Sequence, residues 1–417
     1  MSKQTLPVCI IGTGGHVDHG KTTLVQALSG VWTARHSEEL KRGLTMKLGY
    51  AYITIYKCPR CPPPQCYLTH VMLRDGRCPH CGSEVEFVRK ISVVDVPGHE
   101  TLMATMIAGA TLMDGVLFVI DATVPCPQPQ TYEHFMALTI MGVRNIVIVQ
   151  NKIDVVADRD KLLKHYQQIK KFIEGTWAED APIIPASALH KVNVDAVVEA
   201  IEERIPTPKR DESKPPRFLI ARSFNVNKPG TPPENLQGGV IGGCLIQGKL
   251  RVGDEIEIRP GIRVVEHGKV RYEPLYAKVL SIKVEDMFVE EVGPGTLVGI
   301  GTDLDPALTR ADALIGNVAG KVGTLPPTRF SLRLETHLLE RVVGLRELPK
   351  VERIRKGEVL MLVAGTATTL GVVRSVMGDE IYVDLRRPVC IETGAKVVIN
   401  RQIAGRWRLI GYGIVKD

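Results

Sequence analysis

Aromatic residues are scarce, at 5% of the 417 residues, so the interior must be built from Val, Ile and Leu rather than from stacked rings. No run of about 18 apolar residues occurs, and no membrane-spanning helix is expected. The N-terminal stretch lacks a basic n-region, a long apolar core and a small-residue cleavage site, so no signal peptide is expected either. Low-complexity tracts and internal repeats are also missing. Nine cysteines are present, an odd number. Four of them fall in two C-x-x-C pairs, a spacing that suits metal rather than disulfides in an intracellular chain. The expected location is cytoplasmic.

Hydrophobic residues make up 44%, enough to bury real cores, and the length suggests two to four domains of about 100–200 residues each. The formal net charge of +7 fits a nucleic-acid partner without requiring one, because Lys and Arg usually just face water.

Residues 1–205 alternate short apolar runs with amphipathic stretches. Val8–Ile11, Ile91–Val94, Val116–Ile120 and Ile146–Val149 read as buried parallel strands. Thr131–Met141, Asp160–Phe172 and Val192–Arg204 read as helices. Continuous apolar strands alternating with helices predict an α/β domain, a parallel sheet covered on both faces. The proline-rich and charged segment 206–217 reads as a linker. Beyond it, short Val/Ile strands and many glycines have β-barrel texture. A break at Gly320–Pro327 divides this part into 218–325 and 326–417.

Gly15-His-Val-Asp-His-Gly20-Lys21-Thr22 fits G-x-x-x-x-G-K-[ST] between a strand and a helix. Its glycines let backbone N–H groups turn toward phosphate oxygens, the helix N-terminus adds its dipole, and Lys21 adds a positive charge. The Thr22 hydroxyl is placed for Mg²⁺. Asp95-Val96-Pro97-Gly98 ends a buried strand. Asp95 there can hold a water on Mg²⁺, and the Gly98 N–H can meet a γ-phosphate, so that losing this phosphate releases the loop. His99 is the candidate to orient an attacking water. In Arg42-Gly43-Leu44-Thr45 the Thr45 hydroxyl suits a second protein ligand to Mg²⁺.

Asn151-Lys152-Ile153-Asp154 follows a strand. The ionised Asp154 only accepts hydrogen bonds. Guanine offers it N1–H and an amine, whereas adenine offers a lone pair. Such a mismatch rejects the wrong base by orders of magnitude. The Lys152 stem can lie over the base, and Ser187-Ala188-Leu189 can bring a backbone N–H to the guanine O6. Cys58, Cys61, Cys78 and Cys81 form C-x₂-C-x₁₆-C-x₂-C, a pattern for structural Zn²⁺ with no open position. Cys66, His70 and His80 read as bystanders. The segment 57–87 is too short and proline-rich to own a core, so metal would supply its folding energy.

The element Gly15–Thr23 resembles the translational GTPases. The cysteine knuckle, His36–Thr45, Pro127–Thr131, Gly238–Gly243 and Arg401–Arg408 resemble the gamma subunits of archaeal translation initiation factor 2, over essentially the whole chain. The resemblance implies a P-loop GTPase domain followed by two β-barrels. It implies alpha and beta partner subunits, initiator methionyl-tRNA bound in the GTP state, and delivery to the small ribosomal subunit. By the same resemblance GTP is contacted by Asp18, His19, Gly20, Lys21, Thr22 and Thr23, by Asn151, Lys152, Ile153 and Asp154, and by Ser187, Ala188 and Leu189. Thr22 and Thr45 would ligate one Mg²⁺; Asp18 and Gly43 would serve a second ion. Gly14 stands where the family usually has an apolar residue and Val96 where alanine is usual; neither change removes a functional group.

An elongator-tRNA carrier and a GTPase of sulfate activation share the nucleotide loops but should lack the cysteine pairs. A scaffold without turnover would not need Lys21, Thr45, Asp95 and His99 together. Arg217, Arg222, Arg386, Arg387, Arg406 and Arg408 are candidates to touch tRNA, with structural roles equally open.

Overall fold

A computed structural model describes residues 6–34, 47–99, 102–344 and 349–417. Gly43 and Thr45 lie outside the described residues. The chain divides into two units, Met1–Pro208 with Val343–Leu348, and Lys209–Val342 with Pro349–Asp417.

The first unit is built on strands β1 (Ile10–Gly14), β2 (Gly49–Lys57), β3 (Tyr67–Thr69), β4 (Glu86–Asp95), β5 (Gly115–Asp121), β6 (Asn145–Asn151) and β7 (Ile183–Pro185). They lie in the order β3-β2-β4-β1-β5-β6-β7. From β4 to β7 the pairs are parallel, and all four apolar runs expected as strands lie in this part. The sheet gains an antiparallel edge that the reading above did not include, β2 against β4 and β3 against β2. Its signal is period-two alternation: Ala51, Ile53 and Ile55 are buried, and Tyr50, Tyr52 and Thr54 only half-buried. That is how a strand with one covered face reads.

Helices α1 (Lys21–Ser29) and α5 (Val194–Arg204) cover one face, where Leu24, Leu28, Val197 and Ile201 pack on Ile11, Leu117, Val119, Val147 and Val149. On α3 (Pro129–Met141), Phe135 meets Phe118 of β5 at 6.0 Å between rings. The other helices of this unit are α2 (Met103–Ala110) and α4 (Arg159–Ile173). Asp158 caps α4 by accepting from the Asp160 and Lys161 N–H groups. Because β1 is central, with β4 and β5 on either side, the loops after these strands meet at one edge.

The second unit is antiparallel throughout. Its strands are β8 (Arg217–Phe224), β9 (Val240–Gln247), β10 (Leu250–Arg251), β11 (Glu255–Glu266), β12 (Lys269–Val284), β13 (Met287–Val289), β14 (Glu291–Val292), β15 (Leu297–Thr302) and β16 (Val318–Lys321). They run β11-β16-β8-β9-β15-β12, closed into a ring by β11 with β12, with β13 appended and a small β10–β14 pair beside it. Then β17 (Thr328–Leu338), β18 (Val359–Ala364), β19 (Ala367–Met377), β20 (Glu380–Cys390), β21 (Lys396–Ile403) and β22 (Arg406–Lys416) form a second closed six-stranded barrel. Closure removes the open edges that would otherwise invite pairing with other chains. At Gly243 a Cβ would lie 1.9 Å from the Leu219 carbonyl oxygen, so this close strand approach requires glycine. Among the described residues no helix is long and apolar enough to cross a membrane.

Candidate functional site

The loop between β1 and α1 folds as its glycines allow. Gly15 has φ +124° and a Cβ there would sit 2.2 Å from the Val119 carbonyl oxygen. Gly20, at φ +90°, would bring a Cβ within 2.3 Å of Asn151 Nδ2. Neither position admits a side chain. Lys21 is buried, and its Nζ donates to the Gly15 and His16 carbonyls at 3.0 and 2.7 Å. Burial lowers its pKa to about 8, against the opposing pull of Asp95 and Asp18. His19 is also buried, and its Nδ1 donates to the Val119 carbonyl at 3.1 Å. Desolvation lowers its pKa to about 3, so it is neutral at pH 7.

Asp95, at the end of β4, is fully buried. Thr22 and Thr33 each donate to its Oδ2 at 2.6 Å, and Thr13 donates to Oδ1 at 2.8 Å. The Val96 N–H in turn donates to the Thr13 hydroxyl at 3.1 Å. A Cβ on Gly98 would lie 2.3 Å from Lys21 Nζ and 2.6 Å from the Val17 nitrogen. The backbone after Asp95 is thus pressed against the phosphate loop. His99 is half-buried, and its carbonyl accepts from Leu102 N–H at the turn into α2.

The loops after β6 and β7 are tied to the same loop. Asn151 Nδ2 donates to the His19 carbonyl at 2.9 Å, while its Oδ1 accepts from the Ala188 N–H at 3.0 Å. Lys152 turns at φ 64° and pairs with Asp121 at 2.6 Å. Burial alone would raise the Asp121 pKa, but the bonds from Lys152 and Thr123 outweigh it and hold the carboxyl below its usual value. Ile153 N–H reaches the Ala186 carbonyl at 3.4 Å. Asp154 is exposed, with His190 at 3.6 Å. Ser187 is buried and its hydroxyl accepts from His190 N–H, whereas Leu189 is exposed. A cleft of about 350 Å³ brings Asp18, Gly20, Lys21, Thr22 and Thr23 together with Gly98 and Lys152.

Several residues here were not singled out from sequence. Trp32 lines the cleft, and Thr13, Thr33 and Asp121 bond to its functional groups. His134 of α3 is fully buried and accepts the Gly15 N–H on Nδ1 at 3.3 Å. That bond puts its proton on Nε2, and burial lowers its pKa well below the usual value. Only Asp121 carried a signal, as an acid ending an apolar strand like Asp95. The others come from unremarkable stretches.

The four paired cysteines also converge. Cys58 and Cys81 sulfurs are 3.5 Å apart, Cys61 and Cys78 3.7 Å, and all four lie within 4.8 Å of one another. Zn–S bonds of about 2.3 Å in a tetrahedron require S–S edges of about 3.8 Å, so the donor set fits Zn²⁺. Cys66 instead closes the turn through its backbone, and His70 Nδ1 accepts from Thr54 N–H. Among the described residues neither they nor His80 joins the sulfur group.

All six candidate arginines lie on barrel strands, and four of them are held by internal partners or buried. Arg217 pairs with Glu392 at 3.0 Å, Arg222 with Asp312 at 3.0 Å, and Arg387 donates to the Ile315 carbonyl at 2.7 Å. Arg408 is buried, and only Arg386 and Arg406 are exposed.

Residues 6–207 match the family described as elongation factor Tu GTP binding domain, and residues 330–415 match initiation factor eIF2 gamma, C terminal. Translation initiation factor 2 subunit gamma of Pyrococcus abyssi is 60% identical over 407 residues, covering 98% of this chain and 97% of that protein. The protein of the same name from Sulfurisphaera tokodaii is 56% identical over 419 residues, covering 99% of each. In fold, the chain is similar to a bacterial selenocysteine-specific elongation factor EF-Sec, with a TM-score of 0.73 at 22% identity, and spans 58% of that longer chain. It is also similar to elongation factor SelB of Methanococcus maripaludis, solved with the GTP analogue GppNHp (TM-score 0.72, 19% identity, covering 100% of this chain and 80% of that one). The family models and these relatives agree: the chain belongs to the gamma subunits of translation initiation factor 2, a family of translational GTPases.

Proposed function

We propose that this chain binds GTP with Mg²⁺ in the cleft beside α1, hydrolyses it, and in its GTP form carries initiator methionyl-tRNA to the small ribosomal subunit. It does so as the gamma subunit of a cytoplasmic heterotrimer with alpha and beta subunits. The observation that carries the reading is the packing of Gly98 against Lys21 and the phosphate loop. A γ-phosphate seated on that loop must meet the backbone of the segment after Asp95, so its presence or loss is felt there.

In this reading Asp18–Thr23 cradle the phosphates, Lys21 pairs with them, and Asp154 reads the guanine edge beside Lys152 and Ser187–Leu189. Thr22 and Thr45 would hold Mg²⁺ directly and Asp95 through water, with Asp18 and Gly43 serving a second ion. The cation supplies charge neutralisation of the β- and γ-phosphates. His99 orients the attacking water, and a partner or the ribosome completes the hydrolytic site. Cys58, Cys61, Cys78 and Cys81 hold a structural Zn²⁺, which organises the insertion 57–87. The domain division proposed is 1–205, a linker 206–217, and barrels at 218–325 and 326–417.

The test is filter binding by the reconstituted heterotrimer, using initiator and elongator tRNAs, charged or uncharged, with GTP or GDP. GTP-dependent preference for methionylated initiator is expected. Equal retention of charged elongators would point to elongation, and no retention would remove the carrier role.

A further inference from the structure

Asp121, the last residue of β5, is buried and uses its two carboxylate oxygens differently. Oδ1 accepts the Thr123 N–H at 2.8 Å and the Thr123 hydroxyl at 2.7 Å. Oδ2 faces Lys152, whose Nζ lies 2.6 Å away. Asp121 pairs with Asn151 across β5 and β6, and the Ala122 N–H donates to the Asn151 carbonyl at 2.9 Å. The two loops that carry the ion pair therefore leave the sheet in a fixed register. Lys152 itself sits at φ 64°, ψ 34°, a left-handed conformation that a residue with a side chain keeps only where its surroundings hold it.

The Lys152 side chain is thus tied at both ends, at its backbone by the turn and at its ammonium by Asp121. Between those ties it lines the cleft, with 35% of the side chain exposed. A lysine stem is apolar and can cover a ring while its charged head stays elsewhere. Untied, the stem would sample many rotamers, and ordering it on a ligand would weaken binding. We propose that Asp121 is a positioning residue for the nucleotide: by holding the Lys152 ammonium, it presents the lysine stem as a preformed wall for one face of the base. A wall against the ring face is blind to the groups on the base edge, which fall to Asp154. Asp121 therefore sets how tightly the base is held, and not which purine is preferred. This deepens the proposed GTP site and rests on the placement of Lys152 over the base.

The test uses full-length protein loaded with fluorescent GDP, which is displaced by GTP or by inosine triphosphate. Inosine lacks the exocyclic amine of guanine but offers the same ring face. Asp121→Asn keeps the shape and removes the charge. It should weaken both triphosphates about tenfold, the scale of ordering one lysine side chain, and leave their ratio within about twofold. Asp154→Ala should instead collapse that ratio toward one. Lys152→Met keeps an apolar stem without the ammonium and should lose about as much as Asp121→Asn. Adding Asp121→Asn to Lys152→Met should then cost no more than about twofold further, because both remove one tie. Should Asp121→Asn fail to fold in a thermal melt, Thr123→Val, which loses one bond to Oδ1, reads the same effect at smaller size. An unchanged affinity in Asp121→Asn, a shifted GTP-to-inosine ratio, or losses that add in the double variant would overturn the role of Asp121 and leave the site standing. A Lys152→Ala protein with undiminished affinity would overturn the placement of Lys152 over the base.

Discussion

The two units use buried polar groups differently. In the first, Lys21, Asp95, Asp121, Asn151, His19 and His134 crowd around a single cleft, and several bond to backbone groups of the loops that form it. In the second, the comparable groups are staples. Arg222 pairs with Asp312, which also accepts from Ser223 N–H, and Arg401 forks onto Glu358. Arg387 and Arg217 join the first barrel to the second. Desolvated charge is costly wherever it sits. In the first unit a ligand of opposite charge can relieve that cost; in the second, internal partners already do. A substitution in the first should therefore act on nucleotide binding, and one in the second on stability.

Asp154→Asn gives the largest separation. It should lower GTP affinity by at least about a hundredfold in calorimetry, because a donor would face the guanine N1–H, with the melting temperature nearly unchanged. A loss below threefold would place base recognition elsewhere. Cys58→Ser tests whether the knuckle is a third, independent case. Bound zinc should fall from about one per chain to none, and protease should cut within 57–87, while GTP affinity stays within about threefold. Coupled loss of GTP binding would make the knuckle part of the nucleotide site.

Arg222→Ala examines a staple. It removes the ion-pair partner of Asp312, so the unfolding free energy of the barrels should drop by about 1–3 kcal/mol in denaturant titrations. GTP affinity should not move; a matching loss of affinity would end the contrast between the units. The last contrast is in pH. His19 has a folded pKa of about 3 against 6.5 unfolded, so below pH 6.5 only the unfolded chain takes up this proton. The stability of neutral His19 is fully present above pH 6.5 and is lost as pH falls toward 3. His134 acts with the same sign. His19→Gln should flatten the stability slope between pH 6.5 and 4, and an unaltered slope would show that this histidine does not set it.

Much of the cleft was legible because strand–turn–helix motifs are local. Gly15–Thr22, Asp95–Gly98 and Asn151–Asp154 each declare themselves within a few residues. Thr13, Thr33 and His134 do not, since their roles come from β1 lying between β4 and β5, and nothing local marks a threonine as the partner of an aspartate 62 or 82 residues away. The barrels were legible as texture, through glycines and short Val/Ile runs, but not as pairings. For the same reason Arg217 and Arg387 looked equivalent to the exposed Arg386 and Arg406 until the two barrels closed. Strand β2 was readable in its alternation, a weaker signal than the continuous apolar runs of the sheet's parallel strands.

Asn151 gives the cleft a further property. One amide group donates to the His19 carbonyl of the loop before α1 and accepts from the Ala188 N–H of the loop after β7. Under the proposed mode of GTP binding, base discrimination and grip on the phosphates are therefore expected to be coupled. A nucleotide with the wrong base would then lose contacts at both ends, which parallel titration of GTP and ATP would show as a loss larger than the base contacts alone.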